Sequence, residues 1–206
     1  MMRSFWSDPY LWIHLSGLAT VPLCLELCWL GLALGNPILP ARLEVLLIAA
    51  IGITPILWMQ LFRPFNIFSI LILGIKPEKL NEEQLKILSL FKKPSQRILA
   101  VLTPILLVTI LWQIYLAAPI AATVVTFVPE WRWLGLLVAA IAFLLVNLFV
   151  QVPVSVLPVL LTKEATFNTT QPYAVEKIRS DFSLPSWEVD RIFPPLFVQN
   201  KQSSAS

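Results

Sequence analysis

Four long apolar stretches constrain this chain more than any other feature of its 206 residues. They run from about Tyr10 to Leu34, Arg42 to Phe62, Ile98 to Ala118 and Trp133 to Thr162. About 20 largely apolar residues in a helix cross the hydrocarbon of a bilayer, so each stretch is long enough to span. Composition agrees: 57% of residues are hydrophobic and only 13% are charged. An ordinary soluble domain carries about a quarter charged residues, so too little polar side chain is present to coat a water-soluble globule. The expected fold is an all-α polytopic membrane protein with four transmembrane helices and an amphipathic cytoplasmic helix. A net charge of +3 does not suggest nucleic-acid binding. Cys24 and Cys28, four residues apart on one helix, neither bridge each other easily nor form a metal set.

Charge orients the spans. Thirteen of the fifteen Lys and Arg residues fall in the N-terminal segment, the loop between the second and third spans, and the tail; Arg42 and Arg132 alone lie on the other side. By the positive-inside rule both termini and the long loop face the cytoplasm. The interfacial aromatics fall into two matching belts: Trp6, Tyr10, Trp12 and Trp58 at the cytoplasmic side, and Trp29, Trp112, Tyr115, Trp131 and Trp133 at the far side. The organisation expected is a membrane domain over residues 1–162 with a cytoplasmic loop at 63–97, a cytoplasmic segment at 163–200 and a low-complexity tail at 201–206.

The loop opens with PFNIFSILILGI (Pro64–Ile75), too short to span and expected to lie interfacially or re-enter the membrane. Asn81 and Gln84 have the spacing of a capping box. Beyond them Glu82, Lys86, Ser89 and Lys93 form a polar stripe opposite Ile87, Leu88 and Phe91, an amphipathic helix for the membrane surface or a partner subunit. The tail carries a short helical stretch from Tyr173 to Phe182 and a proline-punctuated segment with Trp187 and Phe193. Loop and tail are expected to pack into one cytoplasmic platform, with Lys86, Lys93, Trp187 and Phe193 as its partner surface and the two aromatics supplying much of the internal contact.

Ionisable and amide residues inside spans are the functional suspects. Glu26 lies toward the far side of the first span, at the depth of Gln113 in the third. Asn147 and Gln151 share one face of the fourth. A polar seam of Glu26, Gln113 and Asn147, with Gln151 beside it, would join the helices through interhelical hydrogen bonds; a proton or ion path is the alternative. His14, the single histidine, offers an imidazole to a chlorophyll or haem, or a hydrogen bond near the head groups. Every span contains proline, which kinks helices and in transporters marks binding sites. Gly31 and Gly35, with Gly135, Ala139 and Ala142, permit close helix contact. No metal set, nucleophile elbow, zinc-protease motif or Walker lysine is present, so a non-enzymatic role is expected.

The stretches FWSDPYLWIHLSGLATVPLCLELCWLGLA, LWMQLFRPFNIFSIL and NLFVQVPVSVLPVLLTKEA resemble a cyanobacterial family of low-complexity tail membrane proteins. The resemblance covers residues 2 to about 197 and makes NKQSSAS the start of a short tail. It implies a cyanobacterial cell, hence the thylakoid or plasma membrane, with membrane lipids and a photosystem or other large membrane complex as partners and chlorophyll or carotenoid as conceivable contacts. It supplies no catalytic residues. The function expected is a non-enzymatic subunit or assembly factor of a thylakoid complex, the alternative being a small proton- or ion-coupled transporter or channel using Glu26.

Overall fold

The computed structural model describes residues 4–70, 72–123, 131–183 and 187–193. The low-complexity end, with Leu196 and Phe197, lies outside the described residues. Four helical segments are long and apolar enough to cross a membrane, as the hydropathy pattern requires. The first span consists of α1 (Pro9–Ser16) and α2 (Val21–Ala33), joined by a 3-10 turn over Gly17–Thr20. The second is α3 (Ala41–Phe62), the third α5 (Pro94–Ala121) and the fourth α6 (Arg132–Leu161). Between them lies α4 (Glu82–Phe91), and α7 (Glu164–Thr169) and α8 (Val175–Asp181) follow.

Pro22 explains the break in the first span. It has no N–H to give and its ring would crowd the carbonyl one turn earlier, so the ladder tightens to 3-10 and α2 restarts with proline in its first turn. Thr20 Oγ1 donates back to the Gly17 carbonyl at 2.8 Å across the break.

The fourth span is the axis of the bundle. Its most apolar window is 44% buried, against 22–28% in the other three. Small residues make this possible. A Cβ placed on Gly135 would stand 2.4 Å from the Gly31 carbonyl oxygen, and one on Gly31 would stand 2.8 Å from the Ala139 nitrogen. Gly31 of α2 and Gly135 of α6 therefore serve a crossing inside the chain, where backbones touch without side chains between them. Leucines, isoleucines and tryptophans on the outer faces, among them Leu23, Leu46, Ile105 and Trp58, are left exposed as a lipid-facing girdle.

A second apolar core lies at the end of the bundle that carries the Lys and Arg residues, here called the basic end. Phe5, Phe68, Ile87, Leu88, Phe167, Ile178 and Phe182 fill it with Val156 and Val159 from the end of α6. The capping box at Asn81 and Gln84 is formed in both directions, at 3.1 and 2.8 Å. The apolar stripe of α4 faces neither lipid nor a partner: Ile87 and Leu88 are fully buried under the chain's own N-terminus and tail. The tail covers α4 directly, with Tyr173 N–H donating to the Leu85 carbonyl and Ser89 Oγ to that of Gln171.

The stretch Pro64–Ile75 corrects the expectation of an interfacial or re-entrant segment. It supplies the antiparallel strands β1 (Ser69–Ile70) and β2 (Leu73–Ile75), and the tail adds β3 (Trp187–Val189) parallel to β2. Loop and tail do form one platform, through backbone pairing rather than through a buried Trp187. That side chain is 64% exposed, whereas Phe193 packs on Tyr10 with ring centres 5.0 Å apart.

Gly135→Ala tests the axial crossing. The added methyl has no free space against the Gly31 carbonyl, so overpacking should destabilise the bundle by about 1–3 kcal/mol. A detergent unfolding series checks this; unaltered stability would mean that the helices do not cross this closely.

Candidate functional site

Three polar sets occupy the membrane region, and their geometry separates their roles. The first closes the far end of the bundle. Glu44, in the first turn of α3, is fully buried and ion-paired with Arg132, the first residue of α6. Arg132 Nε donates to Glu44 Oε1 at 3.1 Å and Nη2 to Oε2. Its Nη1 donates to the Leu32 and Leu34 carbonyls, at 2.6 and 3.1 Å, and so caps the open C-terminus of α2. Tyr115 of α5 donates its hydroxyl to Glu44 Oε2 at 2.9 Å, and the Ile38 N–H donates to Oε1 at 3.2 Å. One ion pair thus holds all four spans and the first far-side loop. The charge count places Arg132 only on the far side, and Glu44, at a span boundary, is not among the ionisable residues expected inside the spans. The available signal was opposite charges opening the second and fourth spans at equal depth.

The second set is a series of buried amides, each aimed at a carbonyl one turn ahead of a proline in a neighbouring helix. Asn147 Nδ2 donates to the Gly52 carbonyl, ahead of Pro55, at 3.0 Å. Gln151 Nε2 donates to the Ala100 carbonyl, ahead of Pro104, at 2.9 Å. Gln96 Nε2 donates to the Ser155 carbonyl, ahead of Pro158, at 2.9 Å. Pro104, lacking an N–H, releases the Ala100 carbonyl outright, and in hydrocarbon a neighbouring side chain must take up what the ladder releases; the Gly52 and Ser155 carbonyls lie one position beyond those that Pro55 and Pro158 release. Asn147 and Gln151 therefore join helices, but through backbone carbonyls.

The seam expected with Glu26 and Gln113 is not assembled. Both side chains lie on exposed faces of α2 and α5, while Asn147 is fully buried. The helices do share a depth, since Trp29 Nε1 donates to the Ala117 carbonyl at 2.9 Å. Glu26 and Gln113 thus stand at one level on adjacent helices, turned away from the bundle interior. Among the described residues neither has a hydrogen-bond partner.

His14 is half-buried. Its Nδ1 lies 2.8 Å from the Tyr10 carbonyl and its ring 5.3 Å from that of Phe65. The Phe65 contact makes the imidazole a tie between the first span and the loop that follows α3. Of the expected partner surface, Lys86 is ion-paired with Glu82 at 2.8 Å and largely covered, Phe193 is half-buried, and Lys93 and Trp187 are exposed.

Charges on the platform are paired across the sheet. Arg179 bridges Glu78 at 2.6 Å and Glu188 at 2.8 Å, and Lys76 meets Asp190 at 2.8 Å. Hydrogen bonding to its own backbone, and then to Arg179, holds the Glu78 carboxyl below its ordinary range. Asp8, which caps α1 through Tyr10 N–H at 2.9 Å and accepts from Gln84, is instead raised by its burial.

Truncating either partner of the far-end pair leaves a buried charge alone. Glu44→Leu or Arg132→Leu should each cost about 3–5 kcal/mol, and the double variant should lose less than the two single losses combined. Tyr115→Phe, which deletes one hydrogen bond to a charged group, should cost about 1.5–3 kcal/mol. Unfolding of the four variants in one detergent measures the coupling; strict additivity would show that the pair does not act as a unit.

No curated protein and no solved structure matches the chain. The family comparison agrees with the multi-pass architecture: residues 7–194, from the start of the first span through the platform strand β3, match the model described as low-complexity tail membrane protein-like, and the chain belongs to that family.

Proposed function

We propose that this protein is a non-enzymatic accessory subunit or assembly factor of a larger membrane complex, cytoplasmic at its basic end. Glu26 is the observation that carries the reading. A carboxylate about 10 Å from the end of a membrane helix, turned outward with no partner of its own, is costly in lipid alone. A partner helix offering a hydrogen-bond donor at that depth relieves the cost, and Gln113 extends the same polar level across α5. The exposed Trp187 gives the platform a matching contact outside the bilayer, since large amphipathic rings dominate protein interfaces. The sequence resemblance makes a thylakoid complex the expected host. Transport through Glu26 receives no support from a side chain outside the bundle.

Co-purification in mild detergent tests the proposal with full-length protein, Glu26→Gln, Glu26→Leu and Trp187→Ala. Exposed substitutions of this kind should shift the protein's own stability by no more than about 0.5 kcal/mol. Glu26→Leu should weaken partner retention by roughly 1–2 kcal/mol, and Glu26→Gln by less. Trp187→Ala should reduce it through the platform contact. Identical partners in identical yield from all four proteins would overturn the proposal.

A further inference from the structure

At the basic end a narrow cleft opens where α3, α5 and α6 meet. Gln60, Gln96 and Ser155 line its interior, and Lys92, Lys93 and Arg97 stand around it. Its free volume is about 20 Å³, room for a group the size of one hydroxyl or water. Two features ask for a ligand. Gln96 is 7% exposed, and because its nitrogen is committed to the Ser155 carbonyl, its Oε1 is a buried acceptor with no donor. Gln60 is equally buried and its side chain makes no hydrogen bond among the described residues.

The rim carries positive charge in excess. Lys92 is occupied, donating to the Asp181 carbonyl at 2.6 Å and lying over the Phe182 ring. Burial lowers its pKa; Asp181 opposes this, and repulsion by Arg97 and Arg63 adds to the lowering. Lys93 and Arg97 are exposed and have no acidic partner among the described residues. Both flank the start of α5, whose first N–H groups and dipole add to the field. Directly beside them the lipid-facing girdle begins, with Trp58, Phe62, Ile98 and Leu102 exposed. An occupant held here has cations at its polar part and apolar surface for acyl chains.

We propose that the cleft binds the headgroup of an acidic, hydroxyl-bearing phospholipid of the phosphatidylglycerol type. The phosphodiester sits at the rim between Lys93 and Arg97. It is too large for the interior, but a headgroup hydroxyl fits there and donates its proton to Gln96 Oε1, within reach of the Gln60 amide. Phosphatidic acid satisfies the rim and leaves Gln96 unpaired, and phosphatidylcholine satisfies neither.

Native mass spectrometry of the full chain released from phosphatidylcholine vesicles doped with phosphatidylglycerol or phosphatidic acid tests the site. Phosphatidylglycerol should be retained best and phosphatidic acid second. Lys93→Gln and Arg97→Gln should each lower retention of both acidic lipids about fivefold. Gln60→Leu, which removes the second polar group of the interior, should weaken the preference for phosphatidylglycerol over phosphatidic acid while sparing the latter. The Gln60 side chain serves no bond of the fold, so this variant reads the cleft even if Gln96→Leu, which also frees the Ser155 carbonyl, fails to fold. Equal retention of phosphatidylglycerol and phosphatidylcholine would overturn the site, leaving the cleft to a water. Displacement of phosphatidylglycerol by free glycerol phosphate would overturn the lipid assignment in favour of a soluble phosphate ester.

Discussion

The ion pair of Arg132 with Glu44 is the contact on which the arrangement of the spans depends. In a bilayer, lipid tails are as apolar as leucine, so burial of side chains gives helices little reason to prefer one neighbour over another. A buried pair supplies that preference. Its net contribution to stability is small, because desolvating two charges offsets most of their attraction, yet any arrangement that separates them leaves a charge buried alone. The guanidinium here also takes the last carbonyls of α2, and the carboxylate takes the Tyr115 hydroxyl. Rotating or sliding any one of the four spans breaks at least one of these bonds. With the far end fixed in register, the backbones of α2 and α6 can approach at Gly31 and Gly135, where misalignment by one residue would place side chains in contact.

Proline is tolerated for a related reason. The amides of Asn147, Gln151 and Gln96 reach across helix boundaries to carbonyls one turn ahead of Pro55, Pro104 and Pro158. Pro104 frees the Ala100 carbonyl outright, the other two prolines stand three residues beyond the accepted carbonyl, and each amide makes a contact between specific helices. The same bonds leave the amide oxygens of Asn147, Gln151 and Gln96 without donors. For Asn147 and Gln151 these oxygens lie inside the bundle; for Gln96 the oxygen is buried at a residue that lines the interior of the basic-end cleft.

Much of this was legible in the sequence. Span positions followed from hydropathy because a bilayer imposes length on a helix, and the capping box followed from a local spacing. The rotation of Glu26 did not. Segment α2 is apolar on nearly every face, so depth could be counted but facing could not. Depth alone grouped Glu26 with Asn147, and the structure turns one outward and the other inward. The ion pair joins positions 88 residues apart, a relation no local pattern encodes. The platform sheet has strands of two and three residues, too short for alternation to show, and its parallel pairing of loop with tail is a tertiary choice. Trp187 looked like core because large aromatics usually are; placed in β3 at the sheet edge, it faces out.

The fourth span carries these separate features into one mechanical unit. Its first residue holds the far-end ion pair, its small residues form the axial crossing, and Val156, Val159 and Leu160 enter the platform core. Ser155 sits at the junction, giving its carbonyl to Gln96 beside the cleft. A packed helix transmits displacement along its axis, because close-packed interiors do not deform continuously. The platform is therefore packed on the same rod that sets helix register at the opposite face. The outward level of Glu26 and Gln113 lies on α2 and α5, both packed against that rod. The platform core and the outward level of Glu26 and Gln113 are thus both built around α6, the first directly and the second through α2 and α5.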